Sequence, residues 1–189
     1  PNQMVTPERA ATIGSIEGED AATGDALSVL EQIEACNTHV ILTDNVHSRY
    51  YRALFLFEHG ITDDHFSIAI NDFGAAIEAG VGLPTAHANR GWLLLRGRGD
   101  SAAALEDLNQ AIALTQTRPR ARYFERRAVI RLAMVEANPD AALVMAAQQD
   151  LTRALELNPG DPRLVRMQAL AGQILSWLAE QEGLATDRG

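Results

Sequence analysis

Apolar residues recur along the chain in a helical pattern that appears three times. In each copy they occupy positions i, i+4, i+7 and i+8, which share one face of an α-helix. An aspartate stands directly before the bulky second member of each copy. The copies are Ala69-Phe73-Ala76-Ile77, Ala104-Leu108-Ala111-Ile112 and Ala147-Leu151-Ala154-Leu155, with Asp72, Asp107 and Asp150 as the aspartates. The pattern predicts a repeat protein.

Each copy is predicted to be the second helix of an antiparallel helix pair. A helix pair cannot bury its own apolar face, so the pairs must stack on one another. The sequence therefore predicts an all-α solenoid of about three pairs in a right-handed stack, with a leading helix at 25–42 and a closing helix at 162–181. The predicted pairs are 46–59 with 63–79, 84–96 with 100–115, and 119–136 with 139–157.

The two ends of the chain differ from this pattern. Residues 1–24 show little periodicity and few bulky apolar side chains, so they are predicted to form a flexible N-terminal arm. The repeat domain is placed at 25–182, and 183–189 is predicted to be a frayed tail. The copies start 35 and then 43 residues apart, which predicts longer helices or a longer bend in the third pair.

Composition excludes several classes of protein. With 47% hydrophobic and 22% charged residues the chain is an ordinary globular protein, and no run approaches the ~20 apolar residues that span a membrane. Its one cysteine, Cys36, excludes an intramolecular disulfide and a cysteine-based zinc site. The first 80 residues hold 13 of the 25 acidic residues but 3 of the 16 arginines. Without a basic stripe, nucleic-acid binding is disfavoured.

Several short segments of the chain carry a recognisable likeness to a known repeat. They are Asn89-Arg90-Gly91, Gly99-Asp100, Ala104-Leu105-Glu106-Asp107-Leu108, Ala111-Ile112, Ala147 and residues 151–159. Together they resemble the tetratricopeptide repeat family over roughly residues 25–182, and Ala53, Gly91 and Ala128 match the close-packing point of the family's first helix. The residues around Cys36 and residues 51–53 also look like those of small exported bacterial members, which favours a periplasmic or secreted location.

The resemblance implies that first helices line a concave groove where extended peptides or partner helices dock. Aromatic side chains and arginine are the types enriched in binding hot spots. For Phe57 and Trp92, packing between repeats is the alternative. The groove lacks the lysine and asparagine set by which some family members clamp a C-terminal carboxylate, so chaperone-tail binding is disfavoured. The candidate partner-binding residues are Tyr50, Phe57, Trp92, Arg122, Arg126, Arg163 and Arg166.

Arginines are concentrated in the third pair. Six fall within residues 118–131, and they form either a patch for an acidic peptide or a solvated face paired with acids such as Glu125 and Asp150. Arg122 and Arg126 share one helix face, as do Arg163 and Arg166. We expect these four guanidinium groups to converge and to bind an acidic segment.

Nothing in the sequence points to catalysis. His39, His47, His59, His65 and His87 show no helical two-histidine zinc spacing and are predicted to be surface or capping residues. No serine has a strand–turn–helix nucleophile context. We expect a non-catalytic module without cofactor or metal that captures a peptide or helix of a partner protein in its groove. The alternative is a structural or accessory subunit, held in a larger complex by its convex face and N-terminal arm.

Overall fold

A computed structural model describes residues 24–186, and this part of the chain forms eight α-helices and no strand. The predicted all-α solenoid of helix pairs is confirmed, and α2 begins and ends where it was predicted. The N-terminal arm falls almost wholly outside the described residues, and α8 continues five residues past its predicted end. The helices are α1 Gly24–Thr43, α2 Val46–His59, α3 Asp63–Glu78, α4 Leu83–Arg98, α5 Ser101–Ala113, α6 Ala121–Ala137, α7 Ala141–Leu157 and α8 Pro162–Thr186.

Side-chain oxygens cap the starts of several helices at the predicted turns. Asn45 Oδ1 accepts a hydrogen bond from the backbone N–H of His47 at 2.9 Å, and Asp100 Oδ1 accepts one from that of Ala103 at 3.0 Å. The side chain of Thr62 caps α3 in the same way. These contacts satisfy donors that a helix N-terminus leaves without an intrahelical partner. None of the described helices is long and apolar enough to cross a membrane.

The helices pack in chain order as the pairs α2–α3, α4–α5 and α6–α7, with α1 before them and α8 after them. Between pairs, each second helix packs on the following first helix. The first helices also contact one another, α2 with α4 and α4 with α6, and no comparable contact joins second helices in the described part of the chain. The first helices therefore lie on the inner side of the stack.

Small residues set how closely the helices of a pair approach. A Cβ added to Gly91 would lie 2.7 Å from Leu108 Cδ2 and 2.9 Å from the carbonyl oxygen of Ala104, so α4 and α5 meet at glycine. Ala53 and Ala128 are fully buried in the other two pairs. In the third pair α6 and α7 have 17 residues each, against 16 and 13 in α4 and α5. Longer helices account for about half of the wider spacing of the third copy, and the longer connections at 114–120 and 138–140 account for the rest.

The three aspartates of the repeated pattern are buried, and each binds an arginine of the first helix in its own pair. The arginine donates from Nε to one carboxylate oxygen and from Nη2 to the other, over distances of 2.6 to 2.9 Å. Such two-point contacts fix the orientation of both side chains. The pairs are Arg52–Asp72, Arg90–Asp107 and Arg127–Asp150.

Replacing Ala111 by aspartate should strongly destabilise the fold. Ala111 is fully buried on the apolar face of α5, and a buried carboxylate without a partner costs several kcal/mol. We expect Ala111→Asp to lower the free energy of unfolding by ~3 kcal/mol or more in urea titration. The exposed Ala113 of the same helix is the control, and Ala113→Asp should change the free energy of unfolding by less than about 1 kcal/mol. Equal effects would show that α5 has a different face buried.

Removing the charge of one buried aspartate should also destabilise the stack. In Asp72→Asn the guanidinium of Arg52, 14% exposed, would lose its counterion, so we expect a loss of about 3 kcal/mol. Asp63→Asn, at the exposed start of the same helix, should cost less than about 1 kcal/mol. Thermal and urea unfolding would measure both. Two variants of equal stability would contradict a supporting role for the buried ion pair.

Candidate functional site

One arginine of α6 reaches across the inner side of the stack to both preceding first helices. The guanidinium carbon of Arg126 lies 5.1 Å from the ring centre of Phe57 on α2 and 5.4 Å from that of Trp92 on α4. Its Nη1 donates to the carbonyl oxygen of Ala88 at 3.0 Å and to Asn89 Oδ1 at 2.8 Å. This residue is 4% exposed. Arg126 thus joins three helices from beneath the surface.

Arg126 carries its charge without a carboxylate partner among the described residues. Burial lowers its pKa to about 10, and the neighbouring charge of Arg122 acts in the same direction. The group therefore remains protonated at neutral pH. Its positive charge is stabilised by neutral oxygens and by the faces of Phe57 and Trp92, both of which attract cations.

A pocket of ≈480 Å³, which we call the groove pocket, opens beside this arginine. Aromatic rings form its apolar part, and Arg96 and Arg122 bring two guanidinium groups from α4 and α6. Arg96 also lies over the Trp92 ring at 5.9 Å. Glu58 and Asp63 also line the pocket, from the end of α2 and the start of α3. The aromatic residues of the pocket are Phe57, Phe66 and Trp92.

Tyr50 lies away from the groove pocket. Its ring packs edge-on against Phe73 at 6.2 Å and against Gly82 in the turn before α4. Gly82 has a φ of 58°, and a Cβ there would come within 2.5 Å of the Tyr50 ring, so only glycine fits this turn. Burial raises the pKa of the Tyr50 phenol. Tyr50 therefore positions α4 relative to α2.

The other arginines predicted for binding do not form one cluster with Arg126. Arg122 lines the groove pocket, whereas Arg163 and Arg166 do not. The Arg163 guanidinium contacts Asp161 at 2.9 Å and Glu125 at 3.5 Å, and Arg166 Nε donates to the carbonyl oxygen of Pro162. The structure therefore separates the predicted set into a buried member, a member in the pocket and two members on the surface of α8.

No family model and no curated protein sequence matches this chain. Its fold is similar to that of two solved structures. One is the first TPR of Spaghetti (RPAP3) bound to the HSP90 peptide SRMEEVD, with 25% identity and a TM-score of 0.54, covering 67% of this chain and 95% of that one. The other is the second TPR domain of human RPAP3 in complex with the HSP70 peptide SGPTIEEVD, with 22% identity, a TM-score of 0.53, and coverages of 68% and 98%.

The chain therefore has a tetratricopeptide-like repeat fold. The resemblance to tetratricopeptide repeats drawn from the repeated residues is thereby confirmed. A relation to small exported bacterial members, and with it a periplasmic or secreted location, stays a prediction.

Half of the six arginines in residues 118–131 of this TPR-like chain are used inside the fold. Arg127 and Arg131 both bind Asp150, and Arg126 lies beneath the groove. Arg118, Arg120 and Arg122 are exposed. The predicted pairing with Asp150 is therefore present, and Arg122 is the exposed arginine of this segment that lines the groove pocket.

The histidines and the cysteine show no catalytic arrangement. His65 Nδ1 accepts from the backbone N–H of Ile61 at 3.2 Å, which is a capping role. His87 was predicted at the surface, but its Nδ1 lies 2.8 Å from Asp107 Oδ1, where it joins the Arg90–Asp107 pair. Cys36 is half-buried against the core, and burial raises the pKa of its thiol. Within residues 24–186 no group of histidine, cysteine and acidic side chains could hold a metal ion.

Replacing Arg126 by lysine should weaken the fold although the charge is kept. An ammonium cannot lie flat against two rings as a planar guanidinium does, so we expect Arg126→Lys to lower the free energy of unfolding by about 1–2 kcal/mol. Arg122→Lys, at an exposed site on the same helix, should change it by less than about 0.5 kcal/mol. Urea unfolding followed by tryptophan fluorescence measures both. If lysine substitutes for Arg126 without loss, stacking on the rings does not stabilise the protein.

Proposed function

We propose that this TPR-like chain is a non-catalytic module whose concave groove captures an acidic segment of a partner protein. The arrangement of Arg126 between Phe57 and Trp92 carries this proposal. Phe57 and Trp92 contact this buried charge and also line the groove pocket, where Arg96 and Arg122 add two guanidinium groups. Aromatic side chains and arginine dominate the binding energy of most protein interfaces.

The charges of the groove pocket give the bound segment a direction. Arg96 and Arg122 lie on the side of α4 and α6, and Glu58 and Asp63 on the side of α2 and α3. A carboxylate of the partner is attracted by Arg96 and Arg122 and repelled by Glu58 and Asp63, because unlike charges attract and like charges repel. We therefore propose that acidic side chains of the partner bind towards α6, with an apolar side chain against Phe57 and Trp92.

The two structural neighbours support the class of ligand but not its details. Their peptides, SRMEEVD and SGPTIEEVD, are acidic at the C-terminal end. This chain contains no lysine, so a terminal carboxylate cannot be held here by lysine side chains. We propose that acidic side chains, rather than the end of a chain, are recognised.

Selection from a displayed library of random short peptides tests the proposal. We expect selected peptides to carry aspartate or glutamate beside an aromatic or aliphatic residue. In calorimetry, the double variant Arg96→Gln with Arg122→Gln should lower their affinity about tenfold, because two exposed ion pairs of about 0.7 kcal/mol each sum to about 1.4 kcal/mol. Binding to the parent should weaken with salt, since exposed charges are screened beyond ~8 Å at physiological ionic strength.

Arg163→Gln with Arg166→Gln is the matched control, because it removes the same charge from α8 outside the groove pocket. This variant should retain affinity within about twofold. SRMEEVD as a free acid and as its C-terminal amide should bind equally. Selected peptides without acids, an equal loss in the control, or a requirement for the free C-terminus would each contradict the proposal.

A further inference from the structure

Each of the three arginines that bind the buried aspartates has one guanidinium nitrogen that does not contact the carboxylate. Nε and Nη2 contact the carboxylate, which leaves Nη1. In two of the pairs Nη1 donates to an asparagine on the helix that precedes the pair. Arg52 Nη1 donates to Asn37 Oδ1 at 3.1 Å, and Arg127 Nη1 donates to Asn109 Oδ1 at 2.9 Å. A side-chain amide oxygen is thus the normal partner of this nitrogen.

The middle pair lacks this amide. Gly74 holds the place of Asn109, because each directly follows the bulky second member of its copy of the repeated pattern, and Asn37 follows Cys36 on α1 in the same way. A Cβ added to Gly74 would lie 3.6 Å from Arg90 Nη1, an ordinary contact distance. Among the described residues, no acceptor is bonded to this nitrogen. The Nη1 donor of Arg90 therefore has no partner among the described residues, whereas the equivalent donors of Arg52 and Arg127 each bind an asparagine oxygen.

A cleft of ≈530 Å³ lies over this donor, and we call it the outer cleft. It is formed by the second helices α3 and α5 with α4 between them, and it shares no lining residue with the groove pocket. Ile70, Ala75, Leu94 and Ala103 give it apolar walls beside Arg90.

We propose that the outer cleft is a second binding site, which takes the side-chain amide of an asparagine or glutamine from a partner segment onto Arg90 Nη1. The amide oxygen would occupy the place that Asn37 and Asn109 occupy beside the other two arginines. The methylene carbons of the same asparagine or glutamine side chain would contact Ile70 and Leu94. The site would thus let the convex side of the stack recognise a partner while the groove holds another segment.

The charges around the cleft favour a neutral amide over a carboxylate. Asp107 already neutralises Arg90, and the hydrogen bond between them is the main cause of the raised pKa of Arg90. The remaining charged groups are Arg98, Glu78 and Glu106, so the cleft as a whole contains more acids than arginines. A second carboxylate would be repelled there, whereas an amide oxygen accepts from Nη1 without adding charge.

The test follows arginine side-chain signals by NMR while capped tripeptides are added. The probes are Ala-Gln-Ala and Ala-Asn-Ala, with Ala-Glu-Ala and Ala-Leu-Ala for comparison. We expect the amide peptides to shift the Arg90 side-chain signals saturably, with at least tenfold weaker binding of the leucine and glutamate peptides. Arg52 and Arg127 are internal controls and should not shift, because their Nη1 atoms are already bonded.

Gly74→Asn should abolish the response, since its own amide would reach Arg90, whereas Gly74→Ala should retain it. Gly74→Asn should also unfold at a higher temperature than Gly74→Ala. Helix propensity alone would favour the alanine variant, so a higher unfolding temperature of Gly74→Asn must come from the new hydrogen bond to Arg90. No saturable shift in the parent would show that water alone fills the cleft. A response that persists in Gly74→Asn, tighter binding of the glutamate peptide, or no stability gain over Gly74→Ala would also overturn the proposal.

Discussion

The contact between a buried aspartate and an arginine is the constraint on which the stack of helix pairs depends. An apolar stripe alone would let two helices rotate or slide against each other, whereas a two-point contact at 2.6 to 2.9 Å allows one orientation. Arg52 and Arg127 also bind an asparagine of the preceding helix, so each holds three helices together. The net stabilisation from such a pair is modest, but breaking it leaves a buried charge, which makes other packings unfavourable.

The groove follows from this constraint. Because Gly91 and the alanines at its equivalent positions let first and second helices approach closely, the first helices come near enough to contact one another. One side chain can then extend from α6 past Trp92 to Phe57. The aromatic rings are held by Arg126 before any partner arrives, so little side-chain entropy remains to be lost on binding. Preorganisation of this kind suits the proposed capture of a partner segment.

Much of the fold could be predicted from the sequence, and less of the site. The helix pairs were found because the apolar spacing repeats, and the buried aspartates were visible as part of that pattern. Asp150 was expected to pair with arginines of residues 118–131, but the partners of Asp72 and Asp107 were missed, because each arginine lies 17 to 20 residues away. A signal did exist: arginine directly precedes the small residue in Arg52-Ala53, Arg90-Gly91 and Arg127-Ala128. The burial of Arg126 depends on the spacing of three helices, which no local pattern contains.

Gly74 has a mechanical consequence. In a linear array each joint between neighbours has its own stiffness, and the joint between the first and second pairs lacks the asparagine link found on either side of it. The outer side of this joint therefore has one side-chain tie fewer than the joints on either side of it. On the inner side Arg126 ties α6 to α4 and α2 across the same joint. A change in the angle between the first and second pairs would therefore break no asparagine link on the outer side, whereas on the inner side it would have to move Phe57 and Trp92 relative to Arg126.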